Sequence, residues 1–230
     1  HKKTKTNVVS DRKFSYGNPK EAFKKADEII KLKIEYPRNS CTPLEGFIVQ
    51  SNYNPSEKSY TVHSNFQGPF SLHSVISRSL NVNENKLRLL SNQDSGGSFG
   101  IKQAILPMIV LTCLASRISG KNIKWVEDRI EHLTAASSAT NRVTTIKAAV
   151  RRNGEILALD YDQIDDVGAY LRAPEPASLY RMHGNLSGAY LVKNISCRNR
   201  VVLTNKTPTG LNRGFGGPQH YYALERLVHK

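Results

Sequence analysis

The sequence predicts a mixed α/β fold, in which strands and helices alternate along the chain. Short runs of alternating apolar and polar residues, typical of half-buried strands, recur through the sequence. Between them lie runs with apolar residues at helical spacing, several of which begin at a proline or end at a glycine. The pair Asn153-Gly154, between two alternating runs, is a strong hairpin signal. The 230 residues suffice for one large domain or two small ones.

The N-terminal part is predicted to contain a polar arm followed by a helix. Residues 1–17 are mostly polar and are assigned to the arm. Asn18-Pro19 supplies a cap residue and a proline at the first helical position. Apolar residues then follow at helical spacing, namely Ala22, Phe23, Ala26, Ile29 and Ile30. The chain is therefore divided into an arm and helix at 1–35 and one domain at 36–230.

The remaining elements are assigned from periodicity and turn residues. Strands are expected at residues 46–50, 60–63, 86–90, 123–126, 143–151, 156–163 and 197–204. Helices are expected at 70–80, at 103–119 before Gly120, and at 218–228. Residues 168–190 are rich in Pro, Gly and Ala and are expected to be irregular.

The chain is strongly basic, with a formal net charge of +14 and an isoelectric point near 9.8. Such a balance suggests nucleic acid, an acidic partner or an acidic cofactor as the ligand. The lysines and arginines are spread along the sequence without a long polybasic tract. Most of these charges are therefore expected on solvated faces.

Cysteine usage and apolar runs suggest a soluble protein of a reducing compartment. Cys41, Cys113 and Cys197 are odd in number and lack CxxC spacing, which argues against a disulfide framework or a zinc site. The expected location is therefore the cytoplasm. The longest apolar run, residues 104–115, is too short to span a bilayer and is expected to form a buried helix. The basic N-terminus is not followed by an apolar segment, so no signal peptide is expected.

Two glycine-rich turns, each just before a predicted helix, are the clearest candidates for a ligand site. SGGSFGIK spans residues 95–102 and NRGFGGPQ spans residues 212–219. Backbone N–H groups at a helix start favour anions, and glycine lets a ligand come close to the backbone. Neither turn has the GK[ST] of a P-loop or the GxGxxG of a dinucleotide fold. One such turn is usually only a turn, but two with an embedded phenylalanine favour a ligand.

Side chains in and near these turns offer specific contacts. Arg213 suits a phosphate or carboxylate, unless it is simply a surface arginine. Phe99 and Phe215 suit stacking on a flat ligand, although core packing is the usual role of phenylalanine. Gln67, between a predicted strand and a helix, is able to donate its amide N–H to an oxygen ligand. Glu45 is either buried or an ordinary loop carboxylate.

Together, these motifs resemble the molybdenum-binding subunit of the molybdenum hydroxylases, the family of xanthine dehydrogenase, aldehyde oxidase and carbon monoxide dehydrogenase. SGGSFGIK is similar to the family's GGGFGxK loop, with Ser98 in place of a glycine, and NRGFGGPQ is similar to its RGFGGPQ loop. Three more segments fall where the family has similar residues, namely KWVEDRIEHL (124–133), PLE (43–45) and NFQ (65–67). Order and spacing agree over residues 36–230. The implied fold is that of the molybdopterin-binding domain.

The resemblance implies a role for each matching position. Gln67 would lie at an oxygen ligand of the molybdenum, Arg213 would contact the cofactor, and Phe215 would stack against a flat substrate. These three form the implied catalytic group. The implied cofactor-binding set is Gln67, Gly97, Ser98, Phe99, Gly100, Arg213 and Gly214. The resemblance implies no direct metal ligand from this chain.

Departures from the family pattern narrow the implied substrate. Gln103 stands where the xanthine enzymes have a substrate-binding glutamate, which argues against a xanthine-like purine. Gly214 stands where the carbon monoxide enzymes carry a cysteine, which argues against a copper–molybdenum centre. Asn212 replaces a phenylalanine common in the xanthine enzymes, and Arg181 falls near one of their substrate-binding arginines.

The resemblance implies a component of an oxidoreductase that hydroxylates an aldehyde or a nitrogen heterocycle, with water as the oxygen source. The implied cofactor is molybdopterin with molybdenum, expected in the cytosine dinucleotide form. The family's general base and further pterin contacts follow the matched region. The chain is therefore expected to be a split subunit or a fragment, with the base on a second molybdopterin-binding chain. An iron–sulfur subunit with [2Fe–2S] clusters and an FAD subunit are the other expected partners.

Two other function classes stay open at this point. A nucleic-acid-binding protein would fit the basic composition, the RGFGG element and the 17 tyrosines and phenylalanines, but would not explain the turn at 95–102 or the segment at 124–133. A scaffold that has lost its chemistry would fit Ser98. Retained molybdenum would separate the enzyme from the scaffold, and steeply salt-dependent RNA affinity would favour nucleic-acid binding.

Overall fold

Strands and helices alternate along the chain in a computed structural model that describes residues 5–173 and 175–230. In chain order the elements are β1 (Val8–Tyr16), α1 (Pro19–Lys24), β2 (Glu28–Tyr36), β3 (Ile48–Asn54), β4 (Ser59–Ser64), α2 (Pro69–Leu80), β5 (Leu87–Ser91), α3 (Leu106–Ser119), β6 (Ile123–Val126), α4 (Arg129–Ala135), β7 (Asn141–Val150), β8 (Ile156–Asp166), α5 (Ala177–Tyr180), β9 (Asn194–Val202) and α6 (Gly217–Val228). Short 3-10 helices lie at Glu84–Lys86, Ile101–Ile105 and Arg181–Gly184. The predicted mixed α/β class is confirmed.

The elements form two compact units. The first unit contains the chain up to Asn39, then Ala139–Thr209 and Gly214–Lys230. The second unit contains Ser40–Ser138 and Gly210–Arg213. The division of the sequence at residue 36 stays a prediction, because compactness is a different criterion from family resemblance.

The first unit is built on a five-stranded sheet with the order β1-β9-β8-β7-β2. The β8/β9 pair is parallel and the other pairs are antiparallel. Its core combines Ile146, Leu159 and Tyr161 of the sheet with Leu224 and Leu227 of α6. The apolar face of α6 is thus removed from water, which stabilises the helix that follows the second glycine-rich turn.

The second unit is built on a four-stranded sheet with the order β5-β4-β3-β6, in which β4 and β5 are parallel. Val49 and Val62 of the sheet pack with Ile76 of α2 and Ile109 of α3 in one core. By length and composition, Ile101–Ser119 resembles a membrane span, a test that core helices also pass. Ile109 and Cys113 are buried, whereas Leu111 and Leu114 are exposed, so the expected buried helix is buried on one face.

The N-terminal predictions are partly wrong. Residues 8–16 of the expected arm form β1, which pairs antiparallel with β9, and the first four residues lie outside the described chain. Asn18 caps α1 as predicted, but the helix ends at Lys24 rather than continuing through residue 30. Residues 28–36 instead alternate in exposure and pair along their whole length with β7. Pairing with a distant strand therefore outweighs the local helical spacing.

The other predicted elements agree with the structure to within a few residues, whereas α4 (Arg129–Ala135) was not predicted. Asn153-Gly154 lies in the connection between β7 and β8, and Gly120 ends α3 in the left-handed region with a φ of 66°. Part of the expected irregular segment at 168–190 forms α5 and a 3-10 helix, while residue 174 lies outside the described part.

Candidate functional site

The first glycine-rich turn, in the second unit, reverses the backbone sharply before a helix. Phe99 has a φ of 52° and Gly100 a φ of 107°, both in the region that favours glycine. A β-carbon on Gly100 would lie 2.9 Å from the carbonyl oxygen of Leu211, so a side chain does not fit there. A non-glycine residue held at positive φ is strained, and such strain concentrates at functional sites. This turn presents Phe99 partly exposed, at 38%.

Arg213 and Phe99 meet in this unit. The Arg213 backbone N–H donates to the Phe99 carbonyl oxygen at 2.8 Å, and the guanidinium lies 4.9 Å from the centre of the Phe99 ring. This is a cation–π contact. Cys41 lies beside it, with its thiol bonded to the Asn212 side chain and close to the Phe99 carbonyl. Burial raises the pKa of the Cys41 thiol despite the nearby Arg213, so the sulfur stays neutral.

Gln67 and Ser98 are also brought together. The Ser98 hydroxyl donates to the Gln67 side-chain oxygen at 2.5 Å. The Gln67 backbone N–H donates to the Lys102 carbonyl oxygen at 3.4 Å, which fixes Gln67 beside the first turn. The predicted cofactor-binding residues of this unit therefore lie in or beside one turn, namely Gln67, Gly97, Ser98, Phe99, Gly100 and Arg213. Gly97 packs against the Phe99 ring, since a β-carbon on Gly97 would lie 2.9 Å from that ring.

A charged network anchors the same turn. Lys102, only 1% exposed, pairs with Glu45 at 2.6 Å, and the backbone N–H of Gly96 donates to Glu45 at 2.8 Å. The Asn65 amide also donates to the Glu45 carboxylate. Burial alone would raise the pKa of Glu45, but these donors outweigh it and lower the pKa below its ordinary value. Glu45 thus holds the turn rather than facing a ligand.

Sequence reasoning left Lys102 and Asn65 without a role, although both stand inside the matched motifs. A lysine that follows a glycine-rich turn is easily taken for a phosphate ligand. Here its burial and its partner Glu45 show that it serves as an internal anchor. In the sequence, the sign of this ion pair was a glutamate in the motif PLE and a lysine in the motif SGGSFGIK.

Polar residues of the segment at 124–133 hold the backbone near residues 43–47 of the same unit. Glu127 accepts hydrogen bonds from the Phe47 backbone N–H at 2.9 Å and from the His132 ring at 2.7 Å. Arg129 donates to the Pro43 carbonyl oxygen at 2.7 Å. Hydrogen bonds therefore connect KWVEDRIEHL with PLE and with Phe47. Glu127 and Arg129 form these bonds to backbone groups.

The second glycine-rich turn, from Gly214 onward, belongs to the first unit. Gly214, Phe215 and Gly216 all have positive φ, at 103°, 51° and 81°. A β-carbon on Gly214 would lie 2.6 Å from the Pro218 ring. Gly216 caps α6, and Pro218 stands in its first turn. The Arg181 guanidinium lies 4.8 Å from the centre of the Phe215 ring, which is a cation–π contact.

A buried ion pair lies near this second turn. Arg142 and Asp165 are 1% and 0% exposed in their side chains and are joined through two hydrogen bonds of 2.7 and 3.0 Å. Asn199 donates to the same carboxylate at 2.7 Å. A β-carbon on Gly216 would lie 3.7 Å from Arg142. No motif pointed to this pair, whose two residues lie directly opposite each other on β7 and β8.

Gln103 follows the first turn directly. Its amide nitrogen lies 3.4 Å from the Ser71 hydroxyl oxygen. Because Ser71 donates its own proton to the Gly68 carbonyl at 2.8 Å, it accepts from Gln103. The Gln103 side-chain oxygen is buried and has no hydrogen-bond partner among the described residues. This position offers a neutral acceptor, where a glutamate would offer a charge.

The second unit thus gathers an amide, a guanidinium, an aromatic ring and glycine backbone around one turn. Gln67, Ser98, Phe99 and Arg213 supply these groups, and Gly97 adds exposed backbone that carries no side chain of its own. Such a set suits a ligand with oxygen acceptors and negative charge. Gly214 and Phe215 belong to the other unit, where Arg181 accompanies them. Among the described residues, no cluster of three or more His, Cys, Asp or Glu side chains is arranged to hold a metal ion.

Comparison with known proteins connects the whole sequence to one domain family. Residues 1–230 match the molybdopterin cofactor-binding domain. The chain is 32% identical over 218 residues to the 6-hydroxypseudooxynicotine dehydrogenase complex subunit gamma of Paenarthrobacter nicotinovorans, covering 94% of this chain and 27% of that protein. It is 30% identical over 212 residues to the carbon monoxide dehydrogenase large chain of Hydrogenophaga pseudoflava, covering 90% of this chain and 26% of that protein.

A solved structure has the same fold. Quinoline 2-oxidoreductase from Pseudomonas putida 86 matches with a TM-score of 0.86 and 26% identity, over 97% of this chain and 29% of that one. The chain therefore spans between a quarter and a third of the length of these relatives. The comparisons do not favour the nucleic-acid alternative.

Proposed function

We propose, since this chain belongs to the molybdopterin cofactor-binding domain family, that it forms one side of the molybdenum–pterin site of a hydroxylating oxidoreductase. The proposed reaction is hydroxylation of an aldehyde or a nitrogen heterocycle with water as the oxygen donor. Relatives named for nicotine derivatives and quinoline support the heterocycle. The observation that carries the proposal is the grouping of Gln67, Ser98, Phe99 and Arg213 at one strained turn.

The residues of the first turn fit such a cofactor by chemistry and by shape. Molybdopterin carries oxygen and nitrogen acceptors and a phosphate, and the Gln67 amide and Arg213 are donors suited to them. Gly96 and Gly97 are exposed, so the ligand can approach their backbone directly. In this proposal Gln67, Gly97, Ser98, Phe99, Gly100, Arg213 and Gly214 bind the cofactor.

The chemistry itself is divided between cofactor and protein. When bound, the molybdenum–pterin group supplies the two-electron oxidation that converts a C–H bond to a C–OH bond. This chain's residues bind and orient. Gln67 donates its amide N–H to an oxygen, Arg213 supplies positive charge, and Phe215 offers a flat face to a planar substrate.

Charge at the substrate position follows from the same residues. Gln103 is neutral, so a substrate that needs an anionic partner there is disfavoured, and an uncharged aldehyde or heterocycle suits it. In the other unit, the Phe215 ring suits a flat substrate. The Arg181 guanidinium, 4.8 Å from the centre of the Phe215 ring, makes that ring part of a layered stack.

The rest of the proposed enzyme lies on partner polypeptides. We place the general base on a second molybdopterin-binding chain, and [2Fe–2S] clusters and FAD on two other subunits. Relatives that are named as subunits of complexes support this arrangement. The cofactor is proposed in its cytosine dinucleotide form, and the strongly basic composition suits its phosphates. Cysteines that lie unpaired support a cytoplasmic location.

Elemental analysis of the native complex tests the proposal. The full-length protein, purified with its partners from its own cells, is expected to contain molybdenum together with iron and a second large polypeptide. A complex with partners but neither metal would contradict the enzyme function. Steeply salt-dependent RNA binding without molybdenum would replace it by the nucleic-acid function.

Two matched variants locate the site. Gln67→Ala is expected to lower turnover by roughly 100-fold, the order seen when one preorganised donor is removed. Gln50→Ala is the control, because Gln50 is an exposed glutamine on β3 of the same unit. Equal turnover of the two variants would contradict the assignment of Gln67, whatever the metal content.

A further inference from the structure

The hydrogen bond between Ser98 and Gln67 defines which way the glutamine amide faces. A carboxamide has an accepting oxygen at one end and a donating nitrogen at the other, and a flip exchanges them. The 2.5 Å separation of the Ser98 hydroxyl oxygen and the Gln67 side-chain atom fits O–H···O geometry and is too short for N–H···O. The amide oxygen therefore faces Ser98.

The other end of the amide is left for a ligand. The Gln67 side-chain nitrogen has no hydrogen-bond partner among the described residues, and the side chain is partly exposed. With its oxygen occupied, the amide presents two N–H donors and no acceptor. An incoming oxygen atom is thus met by a donor, whereas the flipped amide would meet it with a lone pair.

The backbone at position 98 accepts a serine without conformational strain. The described non-glycine residues with positive φ include Phe99 but not its neighbour Ser98. A β-carbon is therefore accepted at position 98 without left-handed strain. The Ser98 carbonyl also accepts the Ile101 N–H at 3.1 Å, which ties this residue into the 3-10 helix that follows.

We propose that Ser98 is a positioning residue that locks the Gln67 carboxamide with its N–H groups toward an oxygen acceptor of the bound cofactor. The proposal rests on the proposed cofactor site. In this role, the serine that replaces a glycine at position 98 is not a sign of lost function. It preorganises the site, because the amide is already oriented before the ligand arrives.

The test is the rate at which the native complex loses molybdenum during dialysis, with molybdenum per chain measured by mass spectrometry. Ser98→Ala is expected to lose the metal roughly three- to ten-fold faster than wild type, as for one lost hydrogen bond. Ser98→Thr keeps a hydroxyl and is expected to behave as wild type. Ser95→Ala is the matched control, because Ser95 lies in the same turn and its hydroxyl donates to the Asn92 carbonyl oxygen instead of to Gln67.

A double variant shows whether Ser98 acts through Gln67. Ser98→Ala combined with Gln67→Ala is expected to lose molybdenum no faster than Gln67→Ala alone. Additive effects, or loss from Ser98→Ala at the wild-type rate, would overturn the positioning role while leaving the proposed function in place. A wild-type complex that holds no molybdenum would overturn the proposed function and this inference together.

Discussion

The two glycine-rich turns have the same backbone shape but are held by different chemistry. In each turn a phenylalanine in the left-handed region precedes a left-handed glycine, at Phe99-Gly100 and Phe215-Gly216, and a helix follows directly. In each, an arginine guanidinium lies over the ring, at 4.9 Å for Phe99 and 4.8 Å for Phe215. The similarity of the sequences therefore reflects a shared conformation.

Their supports differ in burial. The first turn is anchored to Glu45, whose side chain is 28% exposed, through Lys102 and backbone donors. The second lies near Arg142 and Asp165, which are almost fully buried. A buried charge that loses its partner is far more costly than a partly solvated one. The same turn shape is thus expected to respond very differently to mutation and to pH in the two units.

The largest expected effect is at the buried pair. Asp165→Ala leaves Arg142 charged and unpaired in the interior and is expected to lower the free energy of unfolding by about 3–5 kcal/mol. Asp11→Ala is the control, since the Asp11–Arg198 pair is exposed to solvent and is expected to contribute far less to stability. Urea unfolding of the full-length protein measures both. Equal losses would show that burial does not separate these pairs.

As the pH falls, the unit that contains the second turn is expected to lose stability before the Glu45 network of the first turn does. Burial, together with the charge of Arg142, lowers the pKa of His183 and of His220 to about 4, from an ordinary 6.5. Both stay neutral in the folded protein, while the unfolded chain takes up protons below pH 6.5. Stability is therefore full above pH 6.5 and falls toward pH 4, by about 1.4 kcal/mol per pH unit for each histidine.

Unfolding free energies at pH 7, 6 and 5 check this expectation. His220→Gln is expected to reduce the pH slope, because it removes a histidine whose pKa is lowered in the folded protein. Glu45 behaves differently because its pKa is lowered: its contribution persists until the pH falls through that lowered value. An unchanged slope in His220→Gln would contradict the role of this buried histidine.

Glycine replacements separate backbone strain from steric contact. Gly100→Ala and Gly214→Ala combine a positive φ with a close contact, whereas Gly154→Ala has a φ of 90° but open space around it. We expect Gly154→Ala to lower stability by about 1–2 kcal/mol through conformation alone. The other two are expected to lose more, in the same urea experiment. Losses no greater than in Gly154→Ala would mean that neighbouring groups move aside freely.

The smallest expected effect is at the stacked arginines. Arg213→Met and Arg181→Met each remove a cation–π contact and are expected to lower stability by about 0.5–1 kcal/mol. If Arg213 also binds the cofactor, only its variant loses molybdenum quickly from the native complex. Equal molybdenum retention in the two variants would remove Arg213 from the proposed cofactor-binding set.

The sequence predicted the local parts of the fold well. Asn18-Pro19, Asn153-Gly154 and Gly120 each impose a backbone conformation within a few residues, and each lies at the element boundary that it predicted. The two glycine-rich turns were found for the same reason. Gln67 and Ser98 were both singled out, but their contact was not, since 31 residues separate them.

What the sequence by itself determined is the set of positions where only certain backbone conformations are allowed. Caps, hairpin turns and left-handed glycines are fixed by steric limits that act between neighbouring residues. The tertiary structure decided the rest. Residues 28–36 became a strand because β7 was available to pair with them, and Lys102 and Arg142 became internal anchors because Glu45 and Asp165 were brought to them. Pairing and burial depend on residues far apart in the chain, and no local pattern specifies them.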